Sequence, residues 1–114
     1  MELEHAVLLC GEEHLDEEIA SACGSDMMSD VLALSKDQEM LITGLCNPQA
    51  IRTAAMVDMK CVLFCRDKQP TEEMIELADE SDIVVLKTTH RMFSACGRLY
   101  AQGLRGGTAY DKFS

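Results

Sequence analysis

Short apolar runs punctuate the chain at Ala6–Cys10 (AVLLC), Met40–Thr43 (MLIT), Cys61–Cys65 (CVLFC) and Ile83–Leu86 (IVVL). Runs of this length without alternation suit strands buried on both faces, the pattern of a parallel sheet covered by helices. Between them the apolar positions recur at helical spacing. Asp26 to Leu34 carries Met27 or Met28, Val31, Leu32 and Leu34, which predicts a short helix. Asn47 is a favoured N-cap with Pro48 at the first helical position, and the next helix should run to about Asp58 with Ile51, Ala54 and Ala55 on one face.

Pro70 is expected to start a third helix, with Glu72 and Glu73 in its first turn, a stripe of Met74, Ile75 and Ala78, and an end at Ser81 and Asp82. Thr88 or Thr89 should cap a last helix bearing Met92, Phe93, Cys96, Leu99 and Tyr100, stopped by Gly103. Weak alternation over Glu18 to Cys23 suggests a short additional strand. Strands alternating with helices imply a single α/β domain over residues 1–104, a largely parallel sheet flanked by helices in βαβ units. The N-terminal strands should add at one edge and can make the sheet mixed. Residues 105–114 lack periodicity and read as a mobile tail, unless Tyr110 and Phe113 dock on a partner chain.

Charge narrows the partners. The 114 residues carry a net charge of −10, which disfavours nucleic acid phosphates and anionic lipid surfaces. The acidic start MELEH lacks the regions of a signal peptide and no apolar run is long enough to span a bilayer, so a cytoplasmic protein is expected. The six cysteines are scattered through apolar segments and read as reduced thiols, mostly small core residues.

The strand-to-helix loops change the picture most. They hold Thr43, Asn47, Arg66, Lys68, Lys87, Thr88 and Thr89, and Arg52 and Arg91 lie just inside the helices that follow. In parallel sheets these loops meet beyond the carboxyl ends of the strands, where ligands bind. Five of the ten basic residues thus gather at one edge of an acidic chain, although a cation near a helix N-terminus is disfavoured by about 0.3 to 1 kcal/mol. Something negative should compensate. It is either a small anionic ligand, such as a metabolite or nucleotide, or an internal partner such as Asp26, Asp30 or Asp67.

Other chemistry is thinly supported. Asp26 and Asp30 share a helical spacing but lack a third metal ligand, and they read better as a solvated or salt-bridged face. Cys46 precedes a helix, where the dipole could lower its pKa, but no resolving cysteine accompanies it. His5, His14 and His90 show no metal-ligand spacing, and the GxxxxGK[ST], GxGxxG and GxSxG motifs are missing. Neither a metal nor a cofactor is expected.

The phrases SDMMSDVLAL, ITGLCNPQAIRTAAMVDMKCVLF, PTEEMIELADESDIVVL and THRMFSACGRLY, from about Gly24 to Leu104, resemble the DRTGG domain in its small stand-alone form. That family is similar in fold to the N-terminal, non-catalytic domain of HPr kinase/phosphorylase and also occurs beside CBS domains. The resemblance implies a regulatory or ligand-sensing role and no kinase activity, because the P-loop lies in another domain. The signature letters differ here: Cys46-Asn47-Pro48 stands where the Asp-Arg pair is expected, and Cys65-Arg66-Asp67 where Thr-Gly-Gly is expected.

The leading expectation is a non-catalytic module binding a small anion through Thr43, Asn47, Arg52, Arg66, Lys68, Thr88 and Thr89. The alternative is an interaction protein without a ligand, self-associating as a homodimer through methionine-rich surface that includes Met27, Met28, Met56 and Met59. An enzyme using Cys46 or the Asp26 and Asp30 pair ranks third.

Overall fold

A computed structural model gives the fold of residues 6–10, 21–34 and 39–101. Its strands are β1 (Ala6–Cys10), β2 (Ala22–Gly24), β3 (Met40–Thr43), β4 (Cys61–Phe64) and β5 (Val84–Thr88); its helices are α1 (Met28–Leu34), α2 (Pro48–Met56), α3 (Glu72–Glu80) and α4 (Met92–Ala101). The four strands β2 to β5 are parallel and adjacent in chain order, and β1 pairs antiparallel with β5, giving the order β1-β5-β4-β3-β2. The sheet is therefore mixed. The two N-terminal strands lie at opposite edges rather than together, because β2 enters a crossover unit through α1 and so sits beside β3.

Strand order decides which face each helix covers. When every parallel crossover steps the same way, a constant right-handed turn returns each connecting helix to the same side. The core agrees: Met28 and Val31 of α1, Ala50, Ile51 and Ala54 of α2, and Met74 and Ala78 of α3 pack with Leu41, Val62, Phe64 and Val85 in one cluster. The alternate strand positions Met40, Ile42, Cys61, Leu63 and Val84 face the other way and pack with Ala95 and Leu99 of α4. Burial on both faces explains the unbroken apolar runs. At the β2 edge α4 comes close enough that a Cβ on Gly24 would lie 2.9 Å from the Cys96 sulfur, so a side chain at this position would have to displace that of Cys96.

Local signals set the helix ends. Asn47 Oδ1 accepts the Ala50 N–H at 3.2 Å and caps α2. Thr71, one residue later than the expected Pro70 start, caps α3 by accepting the Met74 N–H at 3.3 Å. Both helices stop in the same way. Asp58 (φ 59°) and Asp82 (φ 57°) turn left-handed, and the next residues donate back, Met59 N–H to Ala54 O and Ile83 N–H to Ala78 O, each at 2.9 Å. This is the Schellman stop with aspartate in the seat glycine usually takes. The expected helix start at Asp26 and the caps at Thr88 or Thr89 are displaced: α1 opens at Met28, Thr88 ends β5, and α4 begins at Met92. The 18–20 part of the suggested second strand, Gly103 and the proposed tail lie outside the described residues.

Among the described residues no helix is long and apolar enough to cross a membrane. Cys23, Cys46, Cys61, Cys65 and Cys96 are free thiols.

Candidate functional site

Parallel pairing brings the strand ends level, with Thr43 opposite Phe64 and Phe64 opposite Lys87. The chain leaves them through Ser25 and Asp26 after β2, Gly44 to Asn47 after β3, Cys65 to Pro70 after β4, and Thr89 to Arg91 after β5. Because β2 to β5 follow one another without a reversal of order, no topological switch point, where a crevice would open between diverging loops, falls among these four strands. Any site there has to be built from the loop residues themselves.

Asp26 is the first element of that site. Its Oδ1 accepts the Thr43 hydroxyl at 2.8 Å and the Gly44 N–H at 2.7 Å. Thr43 is fully buried and its oxygen in turn accepts the Leu45 N–H at 3.1 Å, so both donors are fixed. Burial acts to raise the Asp26 pKa, but the Gly44 N–H, the Thr43 hydroxyl, the Arg66 charge and the Leu45 N–H outweigh it and hold the carboxyl below its ordinary value. An ionised, exposed carboxylate therefore sits at the ends of β2 and β3.

Arg66 is the second element. It and Asp67 are consecutive left-handed residues, φ 61° and 55°. The neighbouring strand end pins them, because Arg66 N–H donates to His90 O at 2.8 Å and Asp67 N–H to Thr88 O at 2.7 Å. The Arg66 guanidinium lies over Gly44, where a Cβ would meet its terminal nitrogen at 2.6 Å. Its charge reaches Asp26, yet among the described residues no carboxylate stands within ion-pairing distance of it. Lys87 differs, since its Nζ binds Asp67 Oδ1 at 3.2 Å and Gln69 Oε1 at 3.0 Å.

The expected site residues thus divide into two groups. Thr43, Asn47 and Thr88 serve the backbone: Thr43 bridges Asp26 and Leu45, Asn47 caps α2, and buried Thr88 accepts the His90 N–H at 3.3 Å. Arg52, Arg66, Lys68 and Thr89 remain exposed, as does Arg91. Asp26, which the sequence reading left among internal partners, is central to the edge. Its signal was a turn pair, Ser25-Asp26, directly after a strand.

Alternative chemistries gain little from the geometry. Burial pushes the Cys46 thiol up while nearby Lys68 draws it partly back, the reverse of the lowering that a helix dipole could give. Asp26 lies before α1 and its carboxylate is turned to Thr43 and Gly44, whereas the Asp30 side chain lies outside the described residues. Among the described residues no group of three or more His, Cys, Asp or Glu gathers as a metal would require.

Residues 47–100 match the family model of the HPr serine kinase N terminus. No curated protein matches the chain in sequence. Among solved structures, the fold is similar to the crystal structure of the CBS and DRTGG domains of the regulatory region of Clostridium perfringens pyrophosphatase, complexed with its activator diadenosine tetraphosphate. The TM-score is 0.69 at 21% identity, over 87% of this chain and 43% of that one, so the chain spans less than half of that regulatory region. The resemblance read from the sequence therefore holds: over residues 47–100 the chain is similar to the HPr serine kinase N terminus, and its fold is similar to that of a regulatory region containing a DRTGG domain.

Proposed function

We propose that this chain is a non-catalytic regulatory module that binds a small anionic ligand at the strand-end edge. The observation that carries the reading is Arg66, an exposed guanidinium with no carboxylate within ion-pairing distance among the described residues, mounted on left-handed backbone at the end of a buried strand. Strained backbone that the surroundings hold in place is found preferentially at ligand sites and switches. Lys68, Arg52 and Thr89 supply further exposed polar groups, while Thr43, Asn47 and Thr88 hold the loops in shape. The pyrophosphatase regulatory region, complexed with a nucleotide activator, supports the same class of role.

A thermal-shift screen of nucleotides, phosphorylated metabolites and dicarboxylates tests this reading. A ligand at a hundred times its Kd stabilises by about 2.7 kcal/mol, a rise of roughly 10 °C for a domain of this size. Arg66→Ala should abolish the shift, and Arg52→Ala should reduce it. No shift with any compound, or one that Arg66→Ala leaves intact, would refute the proposal.

A second reading, a homodimeric interaction module without a ligand, is favoured by Phe93, which is 90% exposed on α4. Met27 and Met56 are also exposed, whereas Met28 and Met59 belong to the core. Sedimentation of the wild type and of Phe93→Glu checks it. A strict monomer at all concentrations removes it.

A further inference from the structure

The charges of Asp26 and Arg66 are placed side by side without being joined. Asp26 is immobilised by two donors converging on one oxygen, and Arg66 rests over Gly44, the residue that supplies one of those donors. Their fields overlap, both side chains are exposed, and yet no ion pair closes between them. A bare anion seated on Arg66 would face an ionised carboxylate and be repelled by it. A ligand that brings its own donor satisfies both groups, because a fixed carboxylate is acceptor-only and a guanidinium donor-only.

Resting on the anion-binding reading above, we infer that the ligand of this edge carries an amine or hydroxyl donor close to its anionic group, with Asp26 holding the donor and Arg66 the anion. Amino acids and nucleoside phosphates share that chemistry. Sulfate and simple dicarboxylates, fully deprotonated at neutral pH, lack it. Asp26 is then a specificity-determining residue: it discriminates against anions that Arg66 alone would accept, which is how a repulsive group adds selectivity.

The test uses matched probes on the whole chain by titration calorimetry at neutral pH: L-aspartate against succinate, and AMP against sulfate. The wild type should bind the donor-bearing member of at least one pair tighter by about tenfold or more, since a site built for a donor penalises its loss. The pair that discriminates tells an amine from a nucleoside as the source of the donor. Asp26→Asn keeps an oxygen for the Gly44 N–H and removes the charge, so the discrimination should disappear, with succinate or sulfate gaining. Equal binding within both pairs to the wild type overturns this inference and leaves anion binding standing. Binding of none of the probes overturns both. Should Asp26→Asn fail to fold, the wild-type ratios still decide, a ratio near one counting against the inference.

Discussion

Replacing Arg66 by glycine should stabilise the fold relative to replacing it by alanine. Both substitutions delete the guanidinium, so their difference isolates the backbone at φ 61°. An L-residue in the left-handed region costs about 1 to 2 kcal/mol, which glycine avoids. Glycine also widens the unfolded ensemble, which returns about 0.4 to 1 kcal/mol of that gain. The glycine variant should therefore exceed the alanine variant by about 0.5 to 1 kcal/mol, roughly 2 to 5 °C in Tm. Urea denaturation with a common m-value measures it directly. Exposed Glu76, inside α3, is the control, because there alanine should win over glycine by about 1 kcal/mol. The same order at both positions, or an alanine variant at residue 66 as stable as the glycine one, would refute the reasoning. Arg66→Gly should also lose the ligand-induced shift while keeping the fold, which separates the function of this side chain from its backbone strain.

Three further outcomes follow from the core and the site. Phe64 is fully buried in the central strand, and Phe64→Ala should cost about 3 to 5 kcal/mol in urea denaturation; a loss below about 1 kcal/mol would contradict its place in the core. Burial pushes Cys61 up to about 12, and Cys65, where burial leads and Cys96 and Asp26 add, up to about 11, so iodoacetamide at pH 8 should label neither until the chain is unfolded; native labelling at the rate of a free thiol would contradict this. The depressed pKa of Asp26 contributes stability that is fully present above its unfolded value, near 3.8, and is lost as pH falls through the lower folded value. Between pH 5 and pH 2 the wild type should lose more stability than Asp26→Asn, and parallel curves would remove the linkage.

The sheet was legible because a two-sided burial leaves a local mark. β3, β4 and β5 fall on the apolar runs read from the sequence, since helices cover both faces, and polar residues enter only at the carboxyl ends of β3 and β5, at Thr43, Lys87 and Thr88. The stops of α2 and α3 were legible for a similar reason: Asp58 and Asp82 are residues that tolerate the left-handed turn such an end needs. Caps further along were misplaced where two polar residues competed. Thr88 had the composition of a cap for α4, but antiparallel pairing with β1, where it lies opposite Ala6, continues to the end of β5 and draws it into the sheet. The edge positions of β1 and β2 depend on which partner each strand finds across the chain, and their own residues do not encode that choice.

The candidate site was less legible because it brings together residues distant in sequence and because hydroxyls and amides at strand ends have two uses. Thr43, Asn47 and Thr88 read as ligand contacts in a linear sequence, yet each is used to satisfy loop or helix-end N–H groups, and buried N–H groups must find acceptors before any ligand is served. Cations escape that competition, since guanidinium and ammonium groups donate only and cannot satisfy an N–H. Arg66 and Lys68 are accordingly still exposed where Thr43 and Thr88 are buried. The departure from Thr-Gly-Gly at Cys65-Arg66-Asp67 then has a physical meaning. Two positions where the resemblance places glycine are the two that turn left-handed, so this chain retains the turn, accepts the strain and places a charge on it.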